Sequence, residues 1–149
     1  MFVVTRDLLL HCVNCNVNKV HALNLQTSTW ERMAVEPAAG SEAGGAGAPC
    51  ARQCHSATLV GSRMWVFGGR TLGGRTLDDV WFLDLGDWEA PRWHRVDLPA
   101  AFSPPRRAMH AAALVGGGGE GSQIMVMGGR DEDGALLEDM WVLLAAARD

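Results

Sequence analysis

Pro49-Cys50-Ala51-Arg52-Gln53-Cys54-His55 and Pro104-Pro105-Arg106-Arg107-Ala108-Met109-His110 share the form P-x-x-R-x-x-H, 55 residues apart. Working outward, Gly68-Gly69-Arg70 returns as Gly128-Gly129-Arg130, and Asp79-Val80-Trp81 as Asp139-Met140-Trp141, both 60 residues on. The five-residue difference sits in one loop, where Gly61-Ser62 becomes the longer tract from Gly116 to Ser122. A repeat that changes length at one loop and keeps register elsewhere is a structural duplication.

A third, degraded copy lies upstream. Val20-His21-Ala22-Leu23-Asn24-Leu25 parallels Val80-Trp81-Phe82-Leu83-Asp84-Leu85, again 60 residues apart, and Trp30 and Trp93 follow the two segments. Leu8 to Val13 falls where Met64 to Gly69 would, with Cys12 and Val13 in place of the glycine pair. In the complete unit the short apolar runs His55–Val60, Met64–Phe67, Val80–Leu85 and Trp93–Val96 have the length of strands. Gly61-Ser62 is a hairpin linker, and Pro99 with Pro104-Pro105 breaks the ladder before the next unit. No stretch shows a helical period over ten residues. The expected fold is all-β: four-stranded antiparallel sheets in tandem. Residues 1–35 form the degraded first unit and 36–48 an Ala/Gly/Ser/Glu-rich loop between units, expected to be flexible. Residues 49–103 form the complete unit, and 104–149 a third unit lacking its last strand.

Composition narrows the class. The 149 residues carry 48% apolar and 20% charged side chains, a globular balance, and a net charge of −4 takes weight from nucleic acid as a partner. No apolar run approaches the ~20 residues that cross a bilayer. Charge interrupts the N-terminal run at Arg6-Asp7, unlike a signal peptide. Four cysteines without N-x-S/T sites suggest free thiols in a reducing, intracellular setting, cytoplasmic or nuclear.

The order P-x-x-R-x-x-H, hairpin, apolar strand ending Gly-Gly, variable loop, D-V-W-x-L-D-L and Trp resembles the kelch repeat, from about Leu8 to Leu144. The resemblance implies β-propeller blades, one ~50-residue unit per blade. About three blades fit this length, an incomplete propeller, since such rings close with about four to eight. It departs from the pattern at the first glycine pair, at the missing last strand, and where Trp65, Trp81 or Met125 stand for tyrosine. Gly68, Gly69, Asp79 and Trp93, with Gly128, Gly129 and Asp139, are the structural repeat positions. His55 and His110, at equivalent strand entries, also read as structural. The two aspartates are expected to accept backbone N–H bonds at the turn into the third strand.

Each chemical candidate has a plainer explanation. Gly116 to Gly121 matches G-x-G-x-x-G by letter, but an apolar strand follows where dinucleotide binding needs a helix N-terminus. Cys12 and Cys15, with Cys50, Cys54, His11 and His55, have spacing too loose for a zinc knuckle. Asp131-Glu132-Asp133-Gly134 departs from calcium-loop spacing and reads as a polar turn. No metal, cofactor or catalytic residue is expected, and the chain is expected not to be an enzyme.

The arginines carry the positive expectation. Arg52 and Arg107 precede the first strands, and Arg70 and Arg130 follow the glycine pairs ending the second, so the four gather at one rim. In kelch propellers that capture acidic peptides, matching positions line the binding face. The resemblance thus implies a module binding a protein or acidic peptide through loops at one face, with bidentate arginine–carboxylate contacts. Trp81 to Leu85, Pro91-Arg92-Trp93 and Ser103-Pro104-Pro105 look like the kelch region of plant F-box/kelch ubiquitin-ligase receptors, and also like acyl-CoA-binding kelch proteins. Rival implications are the propeller part of an oxidase of the galactose oxidase kind, whose tyrosines this chain lacks, or of a methyltransferase with its catalytic part elsewhere. Open blade edges predict self-association.

Overall fold

A computed structural model of the 149-residue chain describes residues 2–5, 8–12, 20–37, 47–116 and 121–145. Eleven strands form three antiparallel sheets among the described residues, and no strand of one repeat enters the sheet of another. The first blade orders β1 (Phe2–Thr5), β2 (Leu8–Cys12), β3 (Val20–Asn24) and β4 (Thr29–Arg32) in sequence. The second orders β5 (Ser56–Val60), β6 (Arg63–Phe67), β7 (Val80–Asp84) and β8 (Arg92–Val96). The third has β9 (Ala111–Val115), β10 (Gln123–Met127) and β11 (Met140–Leu144), and no fourth strand among the described residues. One short 3₁₀ turn, Ala100–Phe102, links the second and third blades. No helix of the described residues is long and apolar enough to cross a membrane.

The first blade is degenerate in sequence yet has all four strands. Its opening strand β1 escaped the sequence reading. Its register, Val4 opposite Leu9 and Thr5 opposite Leu8, matches that of Leu59 with Met64 and Val60 with Arg63.

The two periods of each strand serve two different neighbours, because successive side chains point to opposite sheet faces. Met64 and Val66 of β6 and Trp81 and Leu83 of β7 pack with Val20 and Ala22 of the first blade. The alternate residues Trp65, Phe67 and Val80 pack with Ile124 and Val126 of the third. All four residues from Met64 to Phe67 are buried, at 8% exposure or less, as a sheet sandwiched between two others requires. The opening strands β1, β5 and β9 lie side by side where the blades converge. The buried Ala57 of β5 suits that confined space.

Backbone bonds add a second tie between blades. The Gly69 N–H donates to the Arg107 carbonyl at 2.9 Å, the Arg107 N–H to Leu77 at 3.1 Å, and the Met109 N–H to Cys54 at 3.0 Å. Gly68 and Gly69 adopt φ of +60° and +99°, which lets the next blade's chain approach this closely.

Residues 38–46, the centre of the expected flexible loop, lie outside the described residues, but the start of that loop is ordered. Glu36 donates its N–H to Pro91 at 2.8 Å and accepts from Trp93 at 3.1 Å, pairing in parallel beside Arg92. The segment leaving the first blade thus covers part of the outer edge of β8, which would otherwise present unpaired backbone groups.

Candidate functional site

All four candidate arginines lie at the same end of the sheets, but they divide into two classes. The P-x-x-R-x-x-H segments fold inward. Arg52 donates both guanidinium nitrogens to Asp79, Nη1 to Oδ1 at 2.6 Å and Nη2 to Oδ2 at 2.7 Å. It also donates to the Gly68 carbonyl through Nη1 and to the Cys50 carbonyl through Nε, both at 3.0 Å. Arg107 repeats the arrangement, with Nη1 and Nη2 on Asp139 at 2.7 and 2.8 Å and further bonds to Gly128 and Pro105. Both arginines are buried. A guanidinium presents five donors in a fixed fork, and here carbonyl and carboxylate oxygens of its own blade occupy them. Arg52 and Arg107, expected at the binding face, are each held as a strut joining the glycine pair to the third strand of their own blade.

The aspartates have further donors. Besides a backbone hydrogen bond at each carboxyl, Asp79 and Asp139 accept the arginine fork and the indole N–H of the tryptophan two residues on. Trp81 Nε1 lies 2.7 Å from Asp79 Oδ2, and Trp141 Nε1 lies 2.6 Å from Asp139 Oδ2. Hydrogen bonds from Arg107 hold the Asp139 carboxyl down to about 2. Burial alone would push Asp79 upward, but the Arg52 fork outweighs it and the net direction is down. Sequence spacing placed these aspartates as repeat positions but did not identify the tryptophan as their donor.

His55 and His110 stand behind the struts. Burial, reinforced by the neighbouring Arg52, pushes His55 down to about 4, and burial with Arg107 does the same to His110. His110 Nε2 lies 2.8 Å from Ser56 Oγ of the preceding blade, whereas the ring nitrogens of His55 have no partner among the described residues. Half-buried and duplicated, they pack the blade entries.

Arg130 is exposed and Arg70 half-buried. Each opens a tight loop closed by a bridge, to Thr76 in one blade and Leu136 in the next, and each braces its loop through a carbonyl. Arg70 Nε donates to Gly74 at 2.6 Å, and Arg130 Nη1 donates to Gly134 at 2.6 Å. Arg70 Nη2 also reaches the Glu132 carbonyl at 3.3 Å, so the two loops touch. Beside them Arg106 bonds Asp78 at 3.2 Å, with Glu132 at 3.9 Å. Leu72 and Leu136 stand out of these loops at 70% and 69% exposure. The rim thus offers two partly engaged guanidinium groups flanked by two exposed leucines. The leucines escaped the sequence analysis because they occupy unlike positions in the two repeats.

The glycine tract before β10 lies partly outside the described residues, at 117–120. A strand follows it, so it has no helix N-terminus to offer a phosphate. Asp131 to Ala135 form the expected polar turn, with Asp131 Oδ1 accepting the Ala135 N–H at 2.8 Å. The side chains of His11, Cys12 and Cys15 lie outside the described residues. Among the described residues no group of three or more His, Cys, Asp or Glu side chains is arranged to hold a metal.

Known proteins carry similar sequence. Residues 11–148 match the model of the KLHDC2/KLHL20/DRC7 Kelch-repeats domain. The chain is similar to Kelch domain-containing protein 10 of Rattus norvegicus, 35% identical over 103 residues, which are 69% of this chain and 22% of that protein. It is similar to an F-box/kelch-repeat protein of Arabidopsis thaliana, 38% identical over 101 residues, 64% of this chain and 20% of that protein. It is also similar to the Arabidopsis serine/threonine-protein phosphatase BSL2, 33% identical over 131 residues, 87% of this chain and 11% of that protein. The chain spans about a fifth or less of the length of these relatives. With its three sheets in register and a family model covering nearly every residue, the chain belongs to the kelch-repeat family.

Proposed function

We propose that the chain is a protein-interaction module whose rim loops, Arg70–Thr76 and Arg130–Leu136, bind an extended acidic segment. One observation carries this reading: of four arginines at the rim, two are consumed inside their blades, while Arg70 and Arg130 project from adjacent loops with donors to spare. Loops on a rigid sheet scaffold are where binding usually resides. A carboxylate between the two guanidinium groups would receive charge-assisted bonds, and Leu72 and Leu136 would cover its apolar flanks. Asp78, Asp131, Glu132 and Asp133 temper the positive field, so a peptide with spaced carboxylates fits better than a polyanion.

The test is binding of a fluorescent peptide with alternating Glu and Leu, followed by anisotropy. Arg70→Ala with Arg130→Ala should weaken capture by about tenfold, since two exposed ion-pair contacts of roughly 0.5–1 kcal/mol each sum to about 1.4 kcal/mol. Far-UV circular dichroism should stay unchanged. Equal affinity in the double variant would remove the rim from consideration. The F-box/kelch-repeat relative supports a finer reading, in which the partner is a substrate presented to a ubiquitin ligase. A second reading follows from the phosphatase relative, which matches 87% of this chain. There the same rim would recruit a protein to a catalytic part lying outside these residues.

A further inference from the structure

The chain has 6 prolines, and Pro104 alone follows a hydroxyl side chain, in Ser103-Pro104-Pro105-Arg106. The repeat does not require that serine: its counterpart, before Pro49, is Ala48. The fold does not use it either, because the Ser103 hydroxyl has no hydrogen-bond partner among the described residues. Neither packing nor backbone satisfaction explains an oxygen at this position.

The segment that carries Ser103 is loosely tied. Residues 99–106 connect β8 to the Arg107 strut, and among the described residues they make one backbone–backbone bond. It runs from the Phe102 N–H to the Pro99 carbonyl at 2.8 Å, within the segment itself. Phe102, Pro105 and Arg106 are exposed, and Ser103 is half-buried. Ser103 is extended, with φ −97° and ψ 129°, as the residue before a proline is driven to be. A strap held by so few bonds opens at little cost while the sheets on either side stay folded.

Ser103 lines a groove of about 360 Å³ together with Asp78, Asp79, Arg95 and Asp97. Asp79 is taken by Arg52, and Asp78 by Arg106 at 3.2 Å. Arg95 has only Asp97 among the described residues, 3.6 Å away, and their side chains are 56% and 91% exposed. Such a pair is weak, so the Arg95 fork is available to a stronger anion.

We infer that Ser103 is a phosphorylation site for a proline-directed protein kinase, and that Arg95 holds the phosphate in this groove. Proline lacks an N–H, so a kinase cleft with no acceptor for the residue after the serine selects it, and Arg106 adds a cation three positions on. The γ-phosphoryl group of ATP passes to Ser103 Oγ. The new O–P bond forms as the bond from the γ-phosphorus to the departing ADP oxygen breaks, and the hydroxyl proton goes to the kinase's base. The product carries a charge of about −1.5 to −2 and three acceptor oxygens, and so displaces the singly charged Asp97 from Arg95. The site lies on the strap between two blades and does not depend on the binding function proposed for the rim.

The test incubates the full, folded chain with ATP and a cyclin-dependent kinase, a proline-directed enzyme that favours a basic residue three positions after the serine. Incorporation of one phosphate is expected, placed at Ser103 by tandem mass spectrometry and lost in Ser103→Ala. Phosphorus NMR then reads the second ionisation of the phosphate, near 6 when unpaired. In the phosphorylated chain it should fall by about half a unit, the size of an exposed ion pair, and return when Arg95 is replaced in Arg95→Ala. No phosphate at Ser103, transfer only after unfolding in urea, or undiminished incorporation in Ser103→Ala would each overturn the site. A titration unmoved by Arg95→Ala would overturn the role of Arg95.

Discussion

The second and third blades carry nearly the same code but have different surroundings. A Cβ added at Gly68 would lie 2.6 Å from the Arg107 carbonyl oxygen and 3.2 Å from the His110 ring. At the equivalent Gly128 it would meet only the Leu137 carbonyl, at 3.5 Å. The neighbouring pair shows no such contrast: a Cβ at Gly69 would meet the Gln53 oxygen at 2.8 Å, and one at Gly129 the Ala108 oxygen at 2.8 Å. Side chains follow the same division. Phe67 and Val80 are buried against the third blade, while their counterparts Met127 and Met140 stand at 54% and 58% exposure. The repeat therefore holds two kinds of information. The Arg–Asp–Trp strut and the second glycine build a blade from within, whereas the first glycine and the alternate strand residues are spent only when another blade follows. Stability then sums over units and their interfaces.

The largest expected effect tests the internal half of that division. Arg52→Ala leaves Asp79, at 20% exposure, without its cationic partner, and removing one member of a buried pair costs about 3–5 kcal/mol. Arg107→Ala should cost less, because Asp139 at 37% exposure returns more readily to water. Urea midpoints with unchanged slopes would measure both. If Arg52→Ala cost under about 1 kcal/mol yet abolished capture of an acidic peptide, the strut would be a binding residue after all.

The glycines sharpen the second half. Gly68→Ala and Gly128→Ala pay a similar backbone penalty, since φ is +60° and +65°. Any difference between them therefore reports the inter-blade contact. Overpacking against the Arg107 carbonyl should add about 1–3 kcal/mol at Gly68 alone. Gly69→Ala and Gly129→Ala should cost equal amounts. Equal costs at Gly68 and Gly128 would mean that the blades yield to each other more easily than the geometry implies.

The strands were legible because a sandwiched sheet leaves short apolar runs, and a tandem repeat lets two copies check each other. Side-chain direction was not legible: P-x-x-R-x-x-H gives a position near the rim, and whether the arginine turns inward depends on a carboxylate brought from 27 or 32 residues away. One signal was present. Asp-x-Trp recurs with each such arginine, and its separation lengthens by the same five residues as the hairpin loop. Opposite charges that recur together at a covarying distance point to a strut. β1 was missed because Arg6-Asp7 interrupts the apolar run near the N-terminus. Leu72 and Leu136 have no shared repeat position, so self-comparison was blind to them.

The smallest expected effect is pH-dependent and tests whether the blade entries behave alike despite their unlike partners. His55 and His110 have folded pKa values of about 4, below the ~6.5 of an unfolded histidine. The unfolded chain therefore takes up protons first as pH falls, and stability declines from about 6.5 toward 4, then levels off as far as these groups are concerned. The aspartates act in a lower window. Their folded values are depressed, so their contribution holds above the ~3.9 of an unfolded carboxyl and is lost as pH falls through the folded value, about 2 for Asp139. Between pH 7 and 5 each histidine should remove about 1–2 kcal/mol. His55→Gln and His110→Gln should each flatten that decline by a similar share, because burial is the main cause at both. At pH 7 they should differ: His110→Gln disturbs the bond to Ser56, whereas His55 has no ring partner among the described residues to lose. Thermal midpoints at the two pH values separate these effects, and a flat profile in the unsubstituted chain would show that the entries admit water.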